Sequence, residues 1–211
     1  GPPGPGPDSP GPPTPARRAR QVSFQMSPAP SPLMMISRWI DAWLRAVAHF
    51  FSWTLLALVF VVCLDVVTRK IGWQVPALGS TRLQELEWHL QAILFCAWIG
   101  YAYTRDAHIR VDVLTSGLSH RTKCKIEIAG CLLLALPYLL VALPYAHQFM
   151  MVSFHQGEGS PNSTGLPYRW IVKAALYAAF WGLMLANISV LLKNVALLRT
   201  GDTATRETAD A

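Results

Sequence analysis

The sequence predicts an all-α integral membrane protein with four transmembrane helices, and three observations support this class. Hydrophobic residues make up 52% of the 211 residues and charged residues only 14%, whereas soluble domains carry about 25% charged residues. Four apolar stretches are long enough, with their flanks, to cross a hydrocarbon core of about 30 Å. The intervening segments contain glycine, and two of the three also contain proline; both residues end helices. The predicted spans are residues 46–68, 83–104, 126–152 and 168–198.

Residues 1–33 differ in composition from the rest of the chain and predict a disordered tail. Eleven of the sixteen prolines fall there, and such a segment has too little apolar content to offset the entropy lost on ordering. The glycine triplet breaks at Gly6, which argues against collagen. A proline-rich docking ligand is the functional alternative. The polar residues 201–211 predict a second disordered tail, so the membrane domain is expected to cover residues 34–200.

From Ile36 onward, apolar residues recur at helical spacing and predict an interfacial amphipathic helix that leads into the first span. Its tryptophans, Trp39 and Trp43, are typical of the headgroup level. Near the far end of the span, Asp65 precedes Arg69 by four residues. This spacing predicts an ion-paired residue at the helix end, with a ligand for a coupling ion as the alternative.

Helix three carries Pro137 and Pro144, seven residues apart and so nearly on one face, which predicts kinks on the same side. The preceding loop contains HIRVDVL. Its alternation of apolar and charged residues permits a short extended segment, but we favour an interfacial turn and a short helix lying on the membrane. His108 and Asp112 are four residues apart there, and we expect a structural hydrogen-bond cluster rather than a metal or proton site.

Lysines and arginines predict the orientation. Four spans place both termini on one side, and the tails and middle loop on that side hold thirteen of these residues against five in the other two loops. Positive residues accumulate in the cytoplasm, so both termini are predicted to be cytoplasmic. The net charge of +6 then reflects topology and contact with the lipid bilayer, and no nucleic-acid motif suggests another partner.

Helix two is the most informative segment. Its uninterrupted apolar part, residues 92–103, extends only about 18 Å, so a span must draw polar residues toward the bilayer, where charged groups need protein or water. Glu85 and His89 are four residues apart, as are Glu87 and Gln91, and each pair shares a helical face. Either the helix starts in interfacial water, or these residues form a packed polar surface against this chain or a partner. We predict Glu85 at a subunit interface, bonded to a partner or to His89.

The sequence shows no catalytic motif, and we expect neither enzymatic activity nor a cofactor. One cofactor alternative survives on geometry: His89 and His147 both lie toward the external end of the predicted bundle and could bracket a haem. That arrangement would make the chain the membrane anchor of a quinol-linked redox complex. The acidic turn around His89 and the absence of a second histidine pair argue against it.

The runs ELEWH, GYAYTRDAHIRVDVL and SPNSTGLPYRWIVKA, in this order, resemble the small membrane subunit (DctQ-like) of tripartite ATP-independent periplasmic (TRAP) transporters. The resemblance covers residues 38–198. Within it the most specific residues are Gly100, Arg105, Asp106, His108 and Asp112, and a Glu at the start of helix two, here Glu85, is also typical. The long proline-rich tail departs from the family.

The resemblance implies a scaffold in the bacterial inner membrane. TRAP systems import organic acids with a sodium gradient, using a periplasmic substrate-binding protein, a large permease subunit that holds the substrate and sodium sites, and this small subunit, which docks on the large one. The motif then implies interface or structural roles for Glu85, Glu87, His89, Gly100, Arg105, Asp106, His108 and Asp112. Substrate choice would depend on the other chains.

Overall fold

The computed structural model describes residues 32–72, 79–105 and 118–207, and every regular element within these ranges is helical. The helices are α1 (Pro32–Ile71), α2 (Ser80–Thr104), α3 (His120–Gly130), α4 (Leu136–His155) and α5 (Trp170–Glu207), with a π-helical turn, Cys131–Ala135, between α3 and α4. The predicted all-α class is confirmed. The predictions for residues 1–31 and for Asp106, His108 and Asp112 lie outside the described residues.

Three segments in the described ranges are long and apolar enough to cross a membrane: Pro32–Ile71, Arg121–His155 and Trp170–Arg199. The sequence predicted four spans. The additional helix, α2, begins at Ser80 rather than at residue 83 and has 25 residues, a length of about 37 Å. Polar residues in its first three turns keep the mean hydropathy of α2 below that of the other three segments.

α1 is one continuous helix of 40 residues, so the predicted interfacial lead-in and the span predicted at 46–68 belong to the same helix. No glycine and no further proline follow Pro32 until Gly72, so nothing interrupts the backbone hydrogen bonds. Gly72 has a φ of 73°, and its N–H donates to the Arg69 carbonyl at 3.3 Å. A glycine in this left-handed conformation is a common helix end.

The third predicted helix, residues 126–152, instead runs from His120 to His155 with the π-helical turn inside it. Ser119 caps its start, since the Ser119 hydroxyl accepts the Thr122 N–H at 3.3 Å. The π turn lies directly before Pro137, which lacks an N–H and needs room against the preceding turn. Pro144 lies inside α4, which continues beyond it. Both prolines lie within the third span, Pro137 just after the π turn, and the two kinks stay predictions.

α5 is the centre of the bundle and contacts every other helix. It extends past the predicted end at residue 198 to Glu207, where no proline stops it, and so includes residues predicted as the start of a tail. α1 and α2 pack on each other and on α5. On α4, Leu139 and Leu143 form a buried cluster with Met184 of α5.

The helices alternate in direction. Near its start, α1 meets the later part of α5 through Ser37 and Ser189, whereas His147 of α4 lies near Tyr177, early in α5. The beginning of α1 and the end of α5 consequently lie at one end of the bundle, which we call the shared end. Most of the outer surface is apolar, with Phe50 and Trp53 73% and 72% exposed, as expected for a chain surrounded by lipid.

Candidate functional site

Glu85, in the second turn of α2, is 6% exposed and is enclosed by the loop between α4 and α5. Its carboxylate accepts the Leu166 backbone N–H at 2.6 Å, the Ser160 hydroxyl, and the Asn162 side-chain amide at 3.4 Å. The sequence predicted His89 or a partner chain as the source of these donors. The structure shows instead that they come from residues 160–166 of this chain, which we call the capping loop.

Gly165 allows the capping loop to approach Glu85 closely. A Cβ atom at this position would lie 2.2 Å from the Ser160 hydroxyl oxygen and 2.8 Å from Glu85 Oε1. The loop also closes on itself, because Ser160 N–H donates to the Leu166 carbonyl at 3.0 Å and Gly165 N–H to the Asn162 carbonyl at 2.9 Å. SPNSTGLP is therefore a folded cap for the start of α2.

Two cationic side chains fasten the segment that carries the capping loop to α5 and α2. The Lys173 ammonium of α5 donates to the Glu158 carboxylate, which lowers the pKa of Glu158 from its ordinary value; it also lies 4.0 Å from the Phe149 ring centroid of α4. The Arg169 guanidinium lies over the Trp88 ring of α2 at 5.6 Å. Contacts to α2 and α5 thus hold this segment in place.

His89 lies on the inner face of α2 with Glu85, as their spacing predicted, and is 8% exposed. Its Nδ1 contacts the Glu85 backbone carbonyl, not the carboxylate, at 2.5 Å, and its ring lies 3.9 Å from that of Trp88. His147 of α4 packs edge-on against Tyr177 at 5.4 Å. The two imidazoles that were considered for haem take part in separate contacts within the chain.

Glu87 and Gln91 lie on the outer side of α2, unlike Glu85 and His89. Glu87 is half-buried and Gln91 is exposed, and within the described ranges neither side chain makes a hydrogen bond or an ion pair. Their spacing would permit a bond between them, but none forms. Trp88, between them, is 39% exposed. We call Glu87, Trp88 and Gln91 the outward strip of α2.

At the other end of α2, in GYAYTR, Gly100 is buried in a helix contact whereas Arg105 lies on the surface. Gly100 is buried where α2 approaches α5: a Cβ there would lie 3.0 Å from Gly182 backbone atoms and 3.1 Å from a Leu44 methyl group. Arg105, just after the helix, is exposed. Its Nε donates to the Tyr101 hydroxyl at 3.2 Å, and its guanidinium lies over the Tyr101 ring at 5.5 Å.

A polar cluster that sequence reasoning missed joins α1 to α5 at the shared end. Ser37 and Ser189 are fully buried, and their hydroxyl oxygens lie 2.8 Å apart. Asp41 accepts the Ser189 hydroxyl at 2.6 Å and the Lys193 ammonium at 2.5 Å. No local signal connects residues about 150 positions apart.

Two further contacts involve residues near helix ends and breaks. Asp65 is buried and pairs with Arg69 at 2.6 Å, which confirms the predicted ion pair, and Ser80 of α2 donates to it at 3.3 Å. The side-chain amide of Asn187, buried in α5, donates to the Cys131 carbonyl at 3.4 Å. Cys131 begins the π-helical turn, so α5 contacts the backbone of the third span at the point where its α-helical hydrogen bonding changes.

The fold and these contacts define a helical integral membrane protein whose polar side chains mostly join its own helices. Among the described residues, no group of three or more His, Cys, Asp or Glu side chains could hold a metal ion. A family model described as "Tripartite ATP-independent periplasmic transporters, DctQ component" matches residues 58–197. The chain belongs to this family, a transporter component and not an enzyme family, and the predicted resemblance is confirmed. No curated protein and no solved structure matches the chain.

Proposed function

We propose that this chain is the small scaffold subunit of a TRAP-type transporter and docks on a large permease subunit through the outward strip of α2. The transporter imports an organic acid with a sodium gradient. A periplasmic binding protein delivers the substrate, and the large subunit holds the substrate and sodium sites. Membership of the DctQ component family supports this assembly.

One observation carries the docking proposal: within the described ranges, the side chains of Glu87 and Gln91 make no hydrogen bond and no ion pair. If Thr104 lies at one membrane boundary, Gln91 is about 20 Å and Glu87 about 26 Å along the helix from that boundary, within a core of about 30 Å. Glu87 then lies about 4 Å inside the opposite boundary, and a carboxylate within the core must face protein or water. The chain satisfies Glu85 with its own loop and leaves Glu87 without a donor in the described ranges, so a partner is the natural source.

In this proposal α2 also crosses the membrane, which brings the number of spans to four. The chain lies in the bacterial inner membrane with both termini in the cytoplasm. The shared end of α1 and α5 is consistent with an even number of spans. The excess of Lys and Arg in the tails and middle loop supports the cytoplasmic side for that end.

Co-expression with a large permease subunit, followed by detergent pull-down, tests the docking surface. We expect Gln91→Leu combined with Glu87→Ala to reduce capture of the permease and solute uptake at least tenfold. The isolated chain should keep its melting temperature, because neither residue bonds within the described part of the chain. The binding protein should keep its substrate affinity.

Gln148→Leu is the matched control, because Gln148 is an exposed glutamine on α4, away from the outward strip. It should leave capture unchanged. If Gln148→Leu reduces capture and the α2 double variant does not, α4 is the docking face and the proposal is wrong. Unchanged capture in both variants would show that the outward strip faces water or lipid.

A further inference from the structure

An apolar groove runs along the outer surface between α1 and α2. Its cavity, of about 210 Å³, is lined by Ser52 and Leu55 of α1 and by Leu94, Phe95 and Trp98 of α2. Ser52 donates its hydroxyl to the Ala48 carbonyl at 2.8 Å, so its polar group is already used. The groove therefore offers hydrocarbon-like walls.

Aromatic and cationic groups continue from the groove toward the shared end. Trp98 packs edge-on against Tyr101 at 6.0 Å, and the His49 ring lies 6.4 Å from the same tyrosine. Tyr101 in turn holds Arg105 through its hydroxyl. Arg45, one helical turn before His49, is exposed on the same side of α1. Within the described ranges, neither arginine is paired with a carboxylate.

The length of this surface matches one leaflet of a bilayer. Arg105 and Leu94 are eleven residues apart, a distance of about 16 Å along α2, and half of the hydrocarbon core is about 15 Å. When the arginines lie at the headgroup level, the apolar walls consequently end near the bilayer midplane. The outward strip of α2 begins beyond that point, in the other leaflet.

We propose that this groove binds one anionic phospholipid. The guanidinium groups of Arg45 and Arg105 contact the phosphate, and one acyl chain lies against Leu55, Leu94 and Phe95. Charge complementarity at one end, apolar walls over the rest and a length of one leaflet together favour a lipid over a helix of another protein. Basic pockets between transmembrane helices bind anionic headgroups in this way.

Native mass spectrometry of the full chain in detergent tests the site, with added phosphatidylglycerol or phosphatidylcholine carrying the same acyl chains. We expect the wild-type chain to retain phosphatidylglycerol preferentially. Arg45→Gln with Arg105→Gln should reduce its occupancy at least tenfold, to the level of phosphatidylcholine, whereas Arg105→Lys should retain part of the preference because the charge remains. Ser52→Phe, which fills the groove, should reduce occupancy by both lipids.

Lys70→Gln is the matched control, because Lys70 is an exposed cation at the opposite end of α1, and it should leave lipid retention unchanged. Helix content and elution volume establish that each variant is folded; if the double variant is not, the single variants are compared. Equal retention of the two lipids, or an equal effect of Lys70→Gln, would overturn the proposal.

Two further results would also contradict a lipid site. Full competition by glycerophosphoglycerol would indicate a phosphate site without an acyl groove, and lipid displacement by the permease would indicate a protein interface. Either result contradicts the proposal that the groove binds an anionic phospholipid.

Discussion

At the scale of single residues, two glutamates of ELEWH have opposite environments. Glu85 and Glu87 are two residues apart, so they point about 200° apart around a helix of 3.6 residues per turn. Glu85 faces the capping loop and accepts three donors, whereas Glu87 faces outward without a donor in the described ranges. Substitutions of these two residues should therefore affect different properties of the protein.

Glu85→Ala should destabilise the isolated chain. It removes the charged acceptor of the Leu166 N–H and of the Ser160 and Asn162 side chains, and a hydrogen bond to a charged group contributes about 1.5–3 kcal/mol. We expect a lower melting temperature in detergent and faster proteolysis between residues 156 and 169. Assembly with the permease should weaken as a consequence.

Glu87→Ala is the control for this measurement, since it removes a carboxylate from the same helix without removing a bond seen in the chain. It should leave melting and proteolysis unchanged. If Glu85→Ala also melts like the wild type, the capping loop is not held by this carboxylate. The start of α2 would then lie in interfacial water, which was the alternative interpretation of the sequence.

At the scale of elements, the packing of α2 on α5 depends on Gly100. Because Gly100 has no side chain, α2 lies close to the α5 backbone at Gly182, and Leu44 of α1 closes the third side. Small residues at such crossings are typical of membrane helices, where van der Waals contact drives association. The position of α2 in the bundle, and thus the direction of its outward strip, depends on this crossing.

Gly100→Ala should destabilise the chain by about 1–3 kcal/mol, because the new methyl group overpacks the crossing. Thermal unfolding in detergent measures the effect. Gly130→Ala is the matched control, since a Cβ at Gly130 meets nothing within 4 Å, and it should be neutral or stabilise the helix by up to about 1 kcal/mol. Equal melting temperatures for the two variants would show that the crossing is looser than the structure indicates.

At the scale of the whole molecule, the cluster of Ser37, Asp41, Ser189 and Lys193 joins the first helix to the last. α1 otherwise packs on the bundle through α2 and α5, with much of its surface exposed. The ion pair and the two buried serines select one register between α1 and α5, because a shift of either helix would leave buried hydroxyl groups without partners.

A double-mutant cycle with Asp41→Ala and Lys193→Ala should give a coupling energy of about 1 kcal/mol, the range measured for partly exposed ion pairs. Denaturant unfolding in detergent supplies the four free energies. The control cycle pairs Arg45→Ala with Lys193→Ala and should give no coupling, since Arg45 makes no ion pair in the described ranges. A zero value in both cycles would mean that Asp41 and Lys193 contribute independently.

Several features of the fold and site could be predicted from local pattern. Composition and apolar runs are sufficient for the all-α membrane class. The four-residue spacings correctly predicted the Asp65–Arg69 ion pair and the shared inner face of Glu85 and His89. Helix boundaries were less accurate: α1 and α5 are both longer than predicted, since charged and polar residues continue a helix where no proline ends it, and α5 continues through Gly201.

By itself, the sequence determined the class, the order of the helices and the family to which the chain belongs, because hydropathy and short motifs are properties of contiguous residues. Only the tertiary structure decided that Glu85 is bound by this chain's own capping loop, that Asp41 pairs with Lys193, and that Gly100 lies against Gly182. Each of these contacts joins residues about 75 to 150 positions apart. Such pairings depend on which helices become neighbours, and no periodicity within one helix contains that information.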